Sequence, residues 1–334
     1  MVFVTGATGL VGSHLLLELI RQNMKVRAGL RDGSSVDFVR SLFDYHGLGG
    51  RFVEIEWVDF DLQNPIACAE SVKACEFVFH CAALVSFFSN DEQALYDINV
   101  LGTRNLVNAC LQQGVEKLCH VSSTGAIGRQ LNKETVDEND RWSEKVGNSV
   151  YSKTKHLAEL EVWRAVEEGL KAVVVNPCIV MGPAKDARSS AAILANAKKG
   201  RRFYSPGSNA FVDARDLASC MLNLTLGDAV GERFLVVGEN QSYRKVFEIL
   251  AAKFGVKGPD RSLPRWMAEL AWRLEMIRSF FAGSTPLLAR ETVDSAYHQV
   301  RYSNEKIKRV TGHEFRNLRE MADYAVPAME ALVD

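Results

Sequence analysis

The stretch VTGATGLVGSHLL (Val4 to Leu16) sets Gly6, Gly9 and Gly12 in a G-x-x-G-x-x-G spacing between a β-branched run and a leucine-rich one. If a strand enters this loop and a helix leaves it, each glycine has its own task. Gly6 permits the tight turn, Gly9 lets backbone approach a pyrophosphate, and Gly12 lets helix and strand pack closely. Thr8, Leu10 and Val11 then line a helix start whose free N–H groups and partial positive charge suit phosphates. No Gly-Lys-Ser/Thr follows, which excludes a P-loop. A glycine-rich turn without a ligand would look the same, so residues elsewhere must decide.

Outward from this stretch, short apolar runs alternate with segments long enough for helices. The runs are MVFVTG, KVRAGL, VEIEWVD, FVFHCAA, KLCHVSS and KAVVVNP, each ending in small or polar residues. That rhythm predicts right-handed βαβ units in an α/β, Rossmann-type, doubly wound parallel sheet. After Pro177 the rhythm breaks into a Gly/Ser/Lys-rich region, followed by the strand–helix pattern FVDARDLASCMLNL and one more strand in RFLVVGEN. The expected division is a dinucleotide-binding domain over 1–181 plus 210–238. A smaller, mostly helical substrate-binding domain would take 182–209 and 239–334.

With 334 residues, 47% hydrophobic and 24% charged, the chain has the composition of a soluble globular protein, and a net charge of -1 argues against a nucleic-acid partner. The run KKGRR (Lys198 to Arg202) reads as a solvated turn. Seven cysteines without a C-x-x-C pair point to a reducing compartment rather than disulfides or zinc. No HExxH or comparable histidine cluster occurs, so no metal is expected. The N-terminus lacks the features of a secretory signal, and charges interrupt the apolar stretch Leu263 to Phe281 too often for a membrane span, so a cytoplasmic location is expected.

The end of the second run, VRAGLRDGSS, bears on the cofactor. A carboxylate there accepts from the ribose 2′-hydroxyl of NAD, whereas an arginine accommodates the 2′-phosphate of NADP. Arg31 and Asp32 are the candidates, and alternation along a strand would let only one face the ribose. Arg31, with Arg27 four residues before it and Ser34 and Ser35 after it, favours NADP(H), with NAD(H) as the alternative.

Tyr151 and Lys155 stand at i, i+4 in a helical pattern, YSKTKHLAELEVWRAVEEG, and so share one face. An ammonium beside a phenol is expected to lower the phenol's pKa and make it a better proton donor or acceptor. The fifth strand ends in Ser122, Ser123 and Thr124, where a hydroxyl could hydrogen-bond a substrate carbonyl. Each element alone has a plain structural explanation, a surface Tyr/Lys pair or a loop cap.

Taken together, TGATGLVGSHL, VRAGLRD, VDFDL, HCAA, NVLGTRNLVNAC, VSSTGAIG, YSKTKHLAE, NPCIVMGP and FVDARDLA resemble the extended short-chain dehydrogenase/reductases, in family order and over nearly the whole chain. Within them the chain looks most like the dihydroflavonol-4-reductase-like group. The resemblance implies that Asp61 and Leu62 flank the adenine and that Ala82 and Ala83 allow close approach of the cofactor. It implies that Ser123 polarises a carbonyl, Tyr151 donates the proton, and Lys155 orients the ribose. Pro177 and Val180 would border the nicotinamide, and Asn99 matches a helix position that is either catalytic or a packing residue. It also implies a homodimer through the Asn99 and Tyr151 helices. One departure stands out: plant flavonoid reductases carry a flavonoid-binding asparagine where this chain has Gly128.

The expected reaction is NADP(H)-dependent reduction of a small-molecule ketone or aldehyde. A nucleotide-sugar epimerase or dehydratase with catalytic NAD is the alternative on the same scaffold. A dinucleotide-binding sensor or scaffold is the non-enzymatic one. Substrate-facing segments should be 85–93, 129–147, 182–207 and the helix from Leu263. On that helix Trp266, Met267, Leu270, Leu274, Ile277 and Phe281 share one face, expected to pack into the core. A lining for an apolar pocket, with Phe87 and Phe88, is the other reading. Scarce charge around Phe87 argues against nucleotide sugars, while Arg188, Arg201 and Arg215 could serve a pyrophosphate.

Overall fold

The computed structural model describes residues 1–128, 133–144, 148–185, 191–282 and 290–333. Arg188, parts of the 129–147 and 182–207 segments and the Phe281 side chain lie outside the described residues.

The chain begins β1 (Val2–Thr5), α1 (Leu10–Arg21), β2 (Val26–Leu30), α2 (Asp37–Tyr45), β3 (Ile55–Asp59), α3 (Pro65–Val72) and β4 (Phe77–His80). It continues with α4 (Glu92–Tyr96), a π-turn over Asp97–Leu101, α5 (Gly102–Gln113), β5 (Lys117–Val121), α6 (Val150–Glu167) and β6 (Ala172–Pro177). Next come β7 (Ile179–Met181), α7 (Ala191–Lys198), β8 (Phe203–Tyr204), β9 (Ser208–Asp213), α8 (Ala214–Leu226), β10 (Glu232–Val236), β11 (Glu239–Ser242) and α9 (Tyr243–Lys253). Then follow β12 (Arg261–Ser262), α10 (Arg265–Ala282), α11 (Arg290–Tyr297), α12 (Glu305–Thr311) and α13 (Leu318–Leu332).

Seven of these strands form one parallel sheet in the order β10-β6-β5-β4-β1-β2-β3. Every residue of β1, β5 and β6 is buried, as expected of strands covered by helices on both faces. One face packs against α1, α2 and α8, the other against α3, α5 and α6. On α1, Leu15, Leu16, Leu17, Leu19 and Ile20 are all buried, each such side chain stabilising by about 1.5–3 kcal/mol. The fold is therefore the doubly wound Rossmann type.

The order reverses between β1 and β4, so loops leaving those two strands diverge and open a crevice at their carboxyl ends. Val4 pairs with Ala28 on one side and Phe79 on the other, and His80 pairs with His120. This register brings Gly6, Arg31, Ala82 and Ser122 to the same edge of the sheet.

A second, three-stranded sheet (β11-β9-β7) and helices α7, α9 and α13 enclose a separate core around Phe211, Leu250 and Met321. Helix α13 is also tied back to the first core. Tyr324 Oη lies 2.8 Å from His14 Nε2 on α1 and 3.0 Å from His46 Nε2 beyond α2, and the Arg215 guanidinium stacks 3.9 Å over its ring.

Candidate active site

The glycine loop is built as a cradle that side chains would fill. Gly6 has φ +63°, and a Cβ there would lie 2.7 Å from Ala82 N; one on Gly12 would lie 2.2 Å from Gly6 O. Gly9 caps α1 with extended backbone and no side-chain hydrogen bond, and no acidic residue stands in the first turn. The N–H groups of Leu10, Val11 and Gly12 thus stay available, with a helix dipole behind them, for a pyrophosphate. The Thr5 hydroxyl bridges the two strands that flank the crevice: Ala82 N donates to it at 3.0 Å, and His80 Nδ1 lies 2.8 Å away.

Around this cradle, Asp61 is exposed at the end of β3, its Oδ1 accepting from Gln63 N at 2.9 Å, while Leu62 is buried. Gly102 makes room for Leu62, since a Cβ there would lie 2.6 Å from Leu62 Cγ. Arg31 and Asp32 both follow the last residue of β2 and both are exposed, so strand alternation does not choose between them. Among the described residues Arg31 forms no ion pair. Arg27 is committed elsewhere: it donates to Glu56 Oε1 at 2.9 Å, Ser71 O at 2.9 Å and Lys73 O at 3.0 Å. Ser35 donates to Asp37 Oδ2 at 2.5 Å, which leaves Ser34 as the serine beside Arg31.

Helix α6 begins at a serine cap, Ser149 accepting from Ser152 N at 3.0 Å, and this sets Tyr151 and Lys155 in its first turns. The Tyr151 hydroxyl hydrogen-bonds Ser123, and Lys155 Nζ donates to Val121 O at 2.8 Å. Ser123, Tyr151 and Lys155 therefore meet where β5 ends. Phe87 sets its ring edge-on to Tyr151 at 5.7 Å, drying that side of the phenol. Burial dominates the protonation of both groups. It pushes Tyr151 up to about 12, against the Ser123 hydrogen bond, and Lys155 down to about 8, against the carboxylate of Glu159. The expected lowering of the tyrosine by the lysine is not found; desolvation sets the direction, opposed by Ser123 alone, and Tyr151 stays protonated at neutral pH.

The three hydroxyls at the end of β5 have different surroundings. Ser122 donates to the fully buried Glu159 at 2.5 Å, which also receives Asn176 Nδ2 at 2.5 Å and Arg233 Nη2 at 2.7 Å. Asn176 Nδ2 also donates to Ser123 O at 2.9 Å, so this network fixes the backbone that presents Ser123. Thr124 is buried in the following 3₁₀ turn, leaving Ser123 as the hydroxyl on Tyr151.

Asn99 sits in the π-turn, and its amide is fully used. It accepts from Leu84 N at 2.8 Å and donates to Leu84 O at 3.0 Å and Thr154 Oγ1 at 3.2 Å. In this geometry it pins the irregular segment following Ala82 and Ala83 to the Tyr151 helix. Pro177 ends β6, and Val180 is buried on β7 beside it.

Sequence reasoning missed Glu159, Asn176 and the chain Thr5–His80–Thr103, in which His80 Nε2 lies 3.0 Å from Thr103 Oγ1 and Thr103 donates to Asn99 O at 2.6 Å. Two signals were present: Glu159 lies at i+4 from Lys155, and His80 stands inside an apolar run. It also misjudged α10: Trp266, Leu270, Leu274 and Ile277 are exposed rather than packed in the core. The departure at Gly128 is sharpened: φ is +78°, and a Cβ would lie 3.0 Å from the Trp142 ring, so a larger residue would be strained and blocked.

Fold and site together define a dinucleotide-dependent enzyme of the extended short-chain dehydrogenase/reductase type, with a nicotinamide cofactor. The chain belongs to the NAD dependent epimerase/dehydratase family, whose profile matches residues 2–238. It is 32% identical to sterol demethylase protein B of Methylococcus capsulatus, over 99% of this chain and 95% of the relative. It is 30% identical to dihydroflavonol 4-reductase of Zea mays over 54% of this chain and 53% of the relative. Among solved structures, gox2253 is 28% identical with a TM-score of 0.80, covering 99% of this chain and 98% of that one.

Proposed function

We propose that the protein reduces the carbonyl of a small, predominantly apolar ketone or aldehyde with NADP(H). The observation that carries the reading is the hydroxyl pair Ser123–Tyr151 with Lys155 one turn behind it, beside a glycine cradle at the same sheet edge. Gly6, Gly9 and Gly12 with the N–H groups of Leu10, Val11 and Gly12 would hold the pyrophosphate. Asp61 and Leu62 would flank the adenine, and Ala82, Ala83, Pro177 and Val180 the nicotinamide side. Arg31, exposed and without an ion pair among the described residues, would take the 2′-phosphate.

When bound, the nicotinamide supplies the hydride to the carbonyl carbon. Ser123 donates a hydrogen bond to the carbonyl oxygen as negative charge grows on it. Tyr151, held protonated by its burial, passes its proton to that oxygen, giving the alcohol. The Lys155 ammonium offsets the charge left on Tyr151 and would hold the ribose hydroxyls. Glu159 keeps a negative charge near Lys155, opposing the loss of its proton.

Nucleotide-sugar chemistry is the weaker reading. Arg215 is locked by Asp213 at 2.7 Å and by the Tyr324 ring, so it is not free for a pyrophosphate. We also propose a homodimer through the Asn99 and Tyr151 helices, where Tyr96 at the end of α4 and Leu160 on α6 are exposed; light scattering reads its mass directly. The test of function follows nicotinamide absorbance with NADPH or NADH and a pool of carbonyl metabolites. Net NADPH oxidation supports a reductase, and conversion of a nucleotide sugar without net oxidation overturns it.

A further inference from the structure

Helix α10 is turned inside out. Its apolar stripe, Trp266, Leu270, Leu274 and Ile277, is exposed at 67%, 50%, 56% and 55%. At 100° per residue these four fall within about 80° of one another, so they form one continuous face. The opposite side meets the protein through small or polar residues, with Ala268 and Ser279 buried and Trp272 half-buried, its Nε1 donating to Glu269 Oε2 at 3.0 Å. Ordinary surface helices do the reverse.

The charge around this helix is also uneven. The strand pair β8–β12, with Arg261 opposite Phe203, sets the run 198–202 beside the start of α10. Residues 198–202 and 257–278 carry nine Lys or Arg and three Asp or Glu, in a chain whose totals are 40 and 41. Asp294 of α11 takes up Arg265 at 2.8 Å, and Glu269 and Glu275 match Arg273 and Arg278 at 2.9 and 2.7 Å. Asp260 lies against Lys257 and Arg202, so the excess of positive charge lies in 198–202 and Arg261, where the apolar stripe begins.

We infer that α10 is a membrane-surface helix, lying in the headgroup region of an anionic bilayer with Trp266, Leu270, Leu274 and Ile277 turned into the lipid. An exposed apolar face flanked by basic residues is what such a surface recognises. The helix is not long and apolar enough to cross a membrane, which leaves it lying on the surface if it meets lipid. A second copy is a poorer occupant. A two-fold contact would bring the basic segment against its own copy, and four side chains fall well short of the roughly 800 Å² per partner of a stable interface. This inference does not depend on the substrate proposed above.

The experiment is flotation of the intact protein with vesicles of phosphatidylcholine alone, and of phosphatidylcholine with about 30% phosphatidylglycerol. The expected result is binding to the anionic vesicles that weakens with salt and falls at least about tenfold in the double variant Leu270→Glu, Ile277→Glu. Because both residues are exposed, that variant should keep its melting temperature. A second variant, Arg202→Glu with Arg261→Glu, should also weaken anionic binding and leaves the stripe intact. Failure to float with anionic vesicles, or unchanged flotation of both variants, overturns the inference. So does a dimer that Leu270→Glu, Ile277→Glu converts to monomers without any vesicle binding, since the face would then belong to a second copy.

Discussion

Helices α1 and α10 read alike in the sequence, as amphipathic stretches with an apolar stripe, and the fold treats them in opposite ways. On α1, Leu15, Leu16 and Leu19 are fully buried between the parallel sheet and α8. On α10, Leu270 and Leu274 face outward, and the helix rests on its neighbours through Ala268 and Ser279. Periodicity reports that a stripe exists and says nothing about what meets it. What separates the two is the preceding chain. A central strand and a glycine turn throw α1 back across the sheet, whereas the edge pair β8–β12 leads into α10 with no sheet to cover.

The comparison can be pressed hardest by acid. Burial holds His14 on α1 and His80 on β4 near 3, and His120 on β5 well below its ordinary value. The unfolded chain binds protons between pH 6.5 and about 3 that the folded one does not, so stability is present above that window and is lost as pH falls through it. Each such histidine contributes up to about 1.4 kcal/mol per pH unit. Residues 157–297 contain no histidine, so the loss should originate in the sheet and its first helices. Urea midpoints measured from pH 7 to pH 4 should fall steadily, and a flat profile would remove the distinction.

Core truncation should come next in size. Leu16→Ala is expected to cost about 2–5 kcal/mol in denaturant unfolding, as for other buried leucines. Cofactor selectivity is a smaller effect: Arg31→Ala should weaken NADPH by roughly 10- to 100-fold in a fluorescence titration while leaving NADH nearly unchanged, as loss of a charged hydrogen bond to phosphate implies. Smallest is the counterpart on the other helix. Leu270→Ala should shift stability by no more than about 0.5 kcal/mol, and a loss matching Leu16→Ala would show that α10 is covered in solution.

Much of the architecture was legible in the sequence because buried parallel strands write themselves as apolar runs such as AVVVNP. The glycine spacing and the Tyr151–Lys155 pair were legible for a related reason: the backbone geometry there tolerates few alternatives. Other features depend on contacts between distant segments. Glu159 reads as an ordinary helix residue until Ser122, Asn176 and Arg233 arrive from three other elements. The choice between Arg31 and Asp32 was framed by strand alternation, but the strand ends at Leu30. The tyrosine's protonation was read from one neighbouring charge, whereas burial of the whole site decides it.

The central claim is that Tyr151 gives the proton in a reduction that takes place against the glycine cradle. The most direct measurement is single-turnover NADPH oxidation by Tyr151→Phe beside the native enzyme, with NADPH affinity titrated on both. The account predicts that the rate falls by about 10²- to 10⁴-fold while cofactor affinity stays within about twofold. Native turnover in the variant would contradict it.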